Sequence, residues 1–386
     1  MRGSGRVGER ETQQFHPLAH SPPLPLVNIR LSLPPDFFFD AVVRSHGWYN
    51  LPPFEYNREK GELRTSVELP PLPSGEGRGE GRTKTDGVVS FSFRVRQGRL
   101  EATCLPLSSG ARREKSPTGE EARAAGARAQ RRDQARGRGP LAEPRAGAPA
   151  GAGPEQAEAT CLGREELRKT VRRVFSLDLE LETFAGTLAS EPPLARALAR
   201  GGGRMLRAPT LFEDAVKVLL TTNCSWAATR GMVVRLIAVA GAQERAFPTA
   251  ESVARLSVSK IQKKIRCGYR AEALARFARR VASGRLDLSA WEQRNRPAEE
   301  IREAILAERG FGPYAAEGLL RILGRHDFLA LDSWTRQKYR RLHPGPARST
   351  DRAIARRYAR FKPFRGLALW LELTADWHAQ RDEVWP

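Results

Sequence analysis

The sequence predicts an α+β chain: a small N-terminal antiparallel β domain followed by an all-α bulk. Three observations carry that prediction. Apolar and polar residues alternate over Val27–Leu33 and again at Val89, Phe91, Phe93 and Val95, the period of a half-buried strand. From about residue 163 the apolar spacing becomes helical, with Leu167, Val171, Val174 and Phe175 on one stripe. Between the two runs 106–157, rich in Ala, Gly and Pro, whose only sizeable apolar side chains are Leu107 and Leu141. Such a segment cannot bury enough surface to offset its ordering entropy and is expected to be disordered.

The elements follow in order. Residues 1–26, with HPLAHSPPLPL at their end, read as a loose tail. Residues 27–105 form the β domain, with Leu63–Leu69 as a further strand and a Gly/Pro-rich insertion at 70–86. The pentapeptide EATCL occurs at Glu101–Leu105 and again at Glu158–Leu162, either by chance or as a duplication around an inserted segment. Residues 158–208 are linking helices. Thr210-Leu-Phe-Glu213 has the pattern of a capping box, and Met232–Ala240 continues as a buried helix. A helix through Leu274, Phe277 and Val281 stops at Gly284. The helical core spans 209–345, and 346–386 forms C-terminal helices, with Ala353–Trp377 helical around the run GLALWLEL.

Composition narrows the function. The 386 residues carry 65 Lys+Arg against 44 Asp+Glu, a formal charge of +21 and a pI near 10.7. The 106–157 segment holds a net of only +4, so most of the charge sits in segments that look folded. Four cysteines exclude a disulfide-rich secreted scaffold. No apolar run approaches the ~18 residues of a membrane span, and no secretory signal follows the N-terminus. A soluble cytoplasmic protein with an anionic partner is expected, nucleic acid first and a membrane surface second. No long basic amphipathic helix with clustered Trp or Phe supports the membrane.

The informative stretch is Glu303–Trp334. Two amphipathic helices are joined by Gly310-Phe311-Gly312-Pro313; the glycines permit a tight hairpin, and Pro313 suits the first turn of the next helix. The N–H groups around Gly310, Gly312 and Tyr314 would then point outward, a site for a DNA phosphate. A hairpin alone is as well read as an ordinary αα-connection. Twenty residues on, Asp332 follows the run FLAL and precedes a new helix; alone it would be read as an N-cap.

Hairpin and Asp together resemble the helix–hairpin–helix DNA glycosylases, the superfamily of 8-oxoguanine and bacterial 3-methyladenine glycosylases, in which that Asp is catalytic. The segment Thr221–Leu236 is similar to the part of oxoguanine glycosylases whose Asn enters the duplex; Asn223 would be that residue. Cys267-Gly-Tyr-Arg-Ala resembles the element whose Tyr wedges a base step and whose Arg meets the orphaned base, roles that fall to Tyr269 and Arg270. By the same resemblance Gly47 would be the counterpart of a glycine whose carbonyl touches the extruded base, or else part of a plain tight turn, and Trp226, Tyr314, Trp334 and Trp370 could stack on that base or lie in the core. Arg336, Lys338, Arg340 and Arg341 would contact phosphates, or form a solvated basic face.

Departures from the pattern matter as well. Tyr314 stands where bifunctional members carry the Lys that forms a Schiff base, so a monofunctional enzyme is expected. No cysteine follows Cys267, so no iron–sulfur cluster is expected. No cofactor or metal is expected beyond the monovalent cation that the resemblance allows at the hairpin. Ala228 replaces an Arg that reads the opposite cytosine, which loosens the tie to 8-oxoguanine. The resemblance therefore implies a monomeric, monofunctional DNA N-glycosylase of base excision repair. It would act on double-stranded DNA, flipping an alkylated or oxidised purine and hydrolysing its N-glycosidic bond with Asp332-assisted water. The alternative is a non-catalytic helix–hairpin–helix DNA-binding module.

Overall fold

The protein is described by a computed structural model over residues 27–68, 88–106, 163–345 and 350–379. The tail at 1–26, the insertion at 70–86, residues 107–157 and the second EATCL copy lie outside the described residues. Five strands make one sheet: β1 (Val27–Ser32), β2 (Glu55–Asn57), β3 (Glu62–Glu68), β4 (Val88–Arg96) and β5 (Arg99–Pro106). Their order is β1-β5-β4-β3-β2, antiparallel throughout. Gln97 and Gly98, both at positive φ, turn β4 into β5; two such residues match the twist of a two-residue hairpin.

Read as half of a repeat, Glu101–Leu105 conceals a strand. It is the middle of β5, paired on both edges, with Ala102 and Cys104 buried and Thr103 donating to Asn28 on the other face at 2.6 Å. The face of β4 carried by Val89, Phe91 and Phe93 is buried, whereas Val95 is 37% exposed because the strand runs out past the core towards its hairpin. Phe93 meets Phe175 edge-on at 5.2 Å, which seats the sheet against the first long helix.

Fifteen α-helices follow the fold through the described residues, ten of them eight residues or longer. The ten are α1 (Arg164–Val174), α2 (Pro192–Ala199), α3 (Leu211–Thr221), α4 (Trp226–Ala240), α5 (Arg270–Ala282), α6 (Ala298–Leu306), α7 (Pro313–Ile322), α8 (Ser333–Leu342), α9 (Asp351–Tyr358) and α10 (Arg365–Ala379). The C-terminal stretch Ala353–Trp377, expected to be helical, is made of two helices. A 3-10 turn at Ala359–Phe361 and the Lys362-Pro363 bond separate them, because proline cannot continue a helix. One apolar core joins the sheet to α1, α3–α7; a second joins α2, α8, α9 and α10.

At Thr210 the hydroxyl accepts the Glu213 N–H at 3.2 Å, but the reciprocal half of the expected capping box is missing. Glu213 turns inward instead and accepts from Lys217 at 2.6 Å, both side chains fully buried. The Lys217 ammonium also lies 4.7 Å from the Phe54 ring, so this pair ties α3 to the N-terminal region. Next to it, Asp214 is equally buried and accepts from Trp48 Nε1 (2.8 Å), the Ala208 N–H (2.9 Å) and Arg173 (2.8 Å).

Removing one partner of a buried ion pair strands the other. Lys217→Met is therefore expected to cost about 3–5 kcal/mol in denaturant unfolding. The double variant Glu213→Leu with Lys217→Met is expected to recover most of that loss, since apolar replacement of both charges is often neutral. Equal losses in the single and double variants would contradict this account.

Candidate active site

A cleft of about 320 Å³ opens between the two cores. One wall is the turn His46-Gly47-Trp48, another the start of α4, and the floor is α7 with the N-terminus of α8. Asp332 reaches this cleft as the N-cap of α8. Its Oδ1 accepts the Thr335 N–H at 2.7 Å, and the Thr335 hydroxyl accepts the Asp332 N–H at 2.7 Å. The carboxylate is half-buried on the cleft side. Asp332 thus caps a helix and also faces a cavity.

The hairpin is anchored from below. Phe311 is buried against Phe277 at 5.2 Å, and its N–H is taken by the Glu308 carbonyl at 3.1 Å. Gly310 sits at φ +94, and a Cβ there would lie 2.7 Å from Ala273 and 2.8 Å from Leu219, so only glycine fits. Gly312 is different: its φ is ordinary, and a Cβ would meet nothing within 4 Å. The fold does not require glycine at 312. The N–H groups of Gly310 and Gly312 find no acceptor among the described residues, and both residues are exposed. From the same turn Tyr314 sends its phenol back into the cleft, against Asp332 and Thr221. Burial, then the Asp332 charge, pushes that phenol up to about 12, so it is a proton donor at neutral pH. The hairpin and Asp332 are thus joined through one side chain.

Asn223 and Tyr269 also come together. Asn223 lies between α3 and α4 at φ 45, and its side-chain amide donates to the Tyr269 hydroxyl at 3.1 Å. Tyr269 is 64% exposed, the most protruding of the large apolar side chains described. Arg270 does not protrude. It is buried, donates from Nε to the Thr222 hydroxyl at 3.1 Å and from Nη2 to the Thr222 carbonyl, and lies 4.6 Å from the Tyr269 ring. Its guanidinium clamps the Asn223 loop to the Tyr269 loop. Arg336 and Lys338 pair with Asp351 and Asp376, whereas Arg340 and Arg341 are exposed.

The aromatic walls differ from the expected layout. A Cβ on Gly47 would lie 2.3 Å from the Trp226 indole, so this glycine makes room for Trp226. Trp334 packs on Trp370 (5.9 Å) and Trp377 (5.6 Å). The Arg321 guanidinium lies over the Trp370 ring, 4.0 Å from its centre.

Two cleft residues carry no site role in the sequence reading. His46 has Nε2 2.7 Å from the Leu206 carbonyl, and burial lowers it to about 3, so it is neutral with Nδ1 left as an acceptor. Arg321 lies inside the apolar run Leu319-Leu-Arg-Ile322; a charge in such a stripe is the signal that could have found it. Among the described residues no group of three or more His, Cys, Asp or Glu is gathered to hold a metal, and no helix is long and apolar enough to cross a membrane.

No protein-family model matches the chain, and no curated protein matches it in sequence. Solved structures do. MBOgg1 bound to a low-affinity DNA ligand is 17% identical, covering 92% of this chain and 96% of its own at a TM-score of 0.56. The 8-oxoguanine glycosylase/lyase of Clostridium acetobutylicum, bound to DNA with cytosine opposite 8-oxoguanine, is 13% identical over 88% and 93%, at 0.54. The 3-methyladenine DNA-glycosylase of Archaeoglobus fulgidus is 17% identical over 90% and 98%, at 0.54. The chain therefore has the fold shared by 8-oxoguanine and 3-methyladenine DNA glycosylases.

Burial also lowers His326, beside the cleft floor, to about 3, and neither of its ring nitrogens has a partner. In the unfolded chain both His46 and His326 take up protons below about pH 6.5, whereas the folded protein refuses them until about pH 3. Each group therefore lowers stability as the pH falls through that window. His326→Phe is expected to flatten the acid side of the urea-unfolding profile between pH 6.5 and 3 while leaving stability at pH 7 unchanged or raised. A profile parallel to that of the parent protein would refute the assignment.

Proposed function

We propose that the protein is a monofunctional DNA glycosylase that turns a damaged purine out of the duplex and hydrolyses its N-glycosidic bond. The observation that carries this reading is the placement of Asp332. A carboxylate held by a helix N-terminus lines a cavity at the lower end of the ~300–1,000 Å³ range of small-molecule sites. The same cavity is reached by the residue after an exposed glycine hairpin. A module that merely gripped the backbone would have no use for the cavity.

In this reading the N–H groups of Gly310 and Gly312 receive a phosphate oxygen, and the absence of a Cβ at Gly312 lets it approach. Asn223 and Tyr269 enter the stack and fill the gap left by the everted nucleotide, and Arg270 keeps their two loops in register. Asp332 stabilises the oxocarbenium-like sugar and takes a proton from the attacking water. As the water oxygen bonds to the sugar carbon, the glycosidic electron pair leaves with the base. Tyr314, its phenol kept protonated in the cleft beside Asp332, is the donor that orients the carboxylate in this reading. Among the described residues no lysine lines the cleft, and Lys217 is sealed in the core, which supports hydrolysis without a Schiff base.

Asn also caps helices, so Asp332→Asn should fold. It is expected to bind duplexes as the parent does and to lose base release by roughly 10²- to 10⁴-fold. Release would be measured by mass spectrometry of the freed base from duplexes carrying 3-methyladenine, 7-methylguanine or 8-oxoguanine. Unaltered release in the variant, or none from the parent, would move the assignment to a binding module. Borohydride treatment with abasic DNA is expected to trap no covalent adduct; an adduct would show a lyase using another amine.

A further inference from the structure

Arg321 is 9% exposed and lines the cleft, yet it forms no hydrogen bond or ion pair among the described residues. Its Nη1 is buried without a partner. The two carboxylates whose charge it feels are otherwise engaged: Glu317 holds Arg302 at 2.8 Å and the Ala330 N–H at 3.0 Å, and Asp332 caps α8. The histidines that face it, His46 and His326, are both neutral. A buried, unpaired guanidinium is costly to the fold, and an occupant of the cleft that supplies an acceptor relieves that cost.

We propose that Arg321 makes the cleft charge-selective, favouring an uncharged purine that carries a ring carbonyl over a cationic N-alkylpurine. This rests on the glycosylase reading above and names its substrate class. The indoles do not reverse the preference. The Trp370 ring already carries the protein's own guanidinium, Trp334 packs on Trp370 and Trp377, which also touch each other, and the Trp226 indole is set against the backbone of Gly47. The charge acts twice. In binding, a second cation in a water-poor cleft is repelled by the first. In the reaction, an uncharged purine leaves as an anion, since the glycosidic electron pair goes with it, and is protonated afterwards by water. Arg321 stabilises that anion. A cationic N-alkylpurine leaves as a neutral base and gains nothing from Arg321.

The test compares 8-oxoguanine with 7-methylguanine, which share the ring carbonyl and exocyclic amine but differ in charge. Duplexes carrying each as the non-hydrolysable 2′-fluoro nucleotide give affinities by fluorescence anisotropy, and ordinary duplexes give release rates. The parent protein is expected to prefer 8-oxoguanine in both. Arg321→Met is expected to shift the ratio towards 7-methylguanine by about tenfold or more, and Arg321→Lys, which keeps the charge, to retain the parent ratio. Thermal unfolding confirms that each variant is folded. Parent preference for the cation, or a ratio unmoved in Arg321→Met, overturns the inference and leaves the glycosylase reading intact. Absent release with the affinity preference intact overturns the glycosylase reading and leaves the charge selection standing.

Discussion

One wall of the cleft stands where it does because Asp214 holds it to the helical body. A fully buried carboxylate is tolerable only when its oxygens are saturated, and here three donors saturate them. Each comes from a different part of the chain: Trp48 from the segment after the first strand, Ala208 from the approach to α3, and Arg173 from α1. The carboxylate thereby pins the His46–Trp48 turn to the helical body. That turn supplies Gly47, on which Trp226 rests, and His46, whose ring is fixed by the Leu206 carbonyl. Without the pin the turn has no reason to lie across the mouth of the cavity.

Much of the fold was legible in the chain. Period-2 alternation located β1 and most of β4, the run Leu63–Leu69 marked β3, and period-3.6 stripes located α1, α4, α5 and the hairpin pair. What escaped has physical reasons. β2 is three residues long and pairs along one edge. In β5 the buried positions after Leu100 are Ala102 and Cys104, too small to stand out as an apolar face. At Glu213 the capping pattern was half right, because a buried Lys one turn on competes for the carboxylate and wins in a dry interior.

The site was legible where single residues carry strong constraints. Asp332, Tyr314, Trp226, Trp334 and Gly47 were named from the sequence, and all of them line one cavity. Their relations were not legible. That Gly47 accommodates an indole, that Arg270 is spent on clamping two loops, and that Arg321 already covers a tryptophan face are facts of packing between distant segments. Periodicity and spacing report local structure, so side chains that meet across the fold leave no signature in either. Arg321 left one partial trace, a charge where an apolar residue was due.

One feature of α8 bears on how often the proposed reaction must arrange its parts. The Asp332 side chain cannot rotate freely, because the helix it begins has enlisted one of its oxygens and the Thr335 hydroxyl returns the bond to its backbone. Its aim is therefore settled once, when the chain folds, and does not have to be found anew with each duplex. Drift at this position is doubly constrained: a residue that kept the aim without the charge would leave a well-formed helix over an idle cavity.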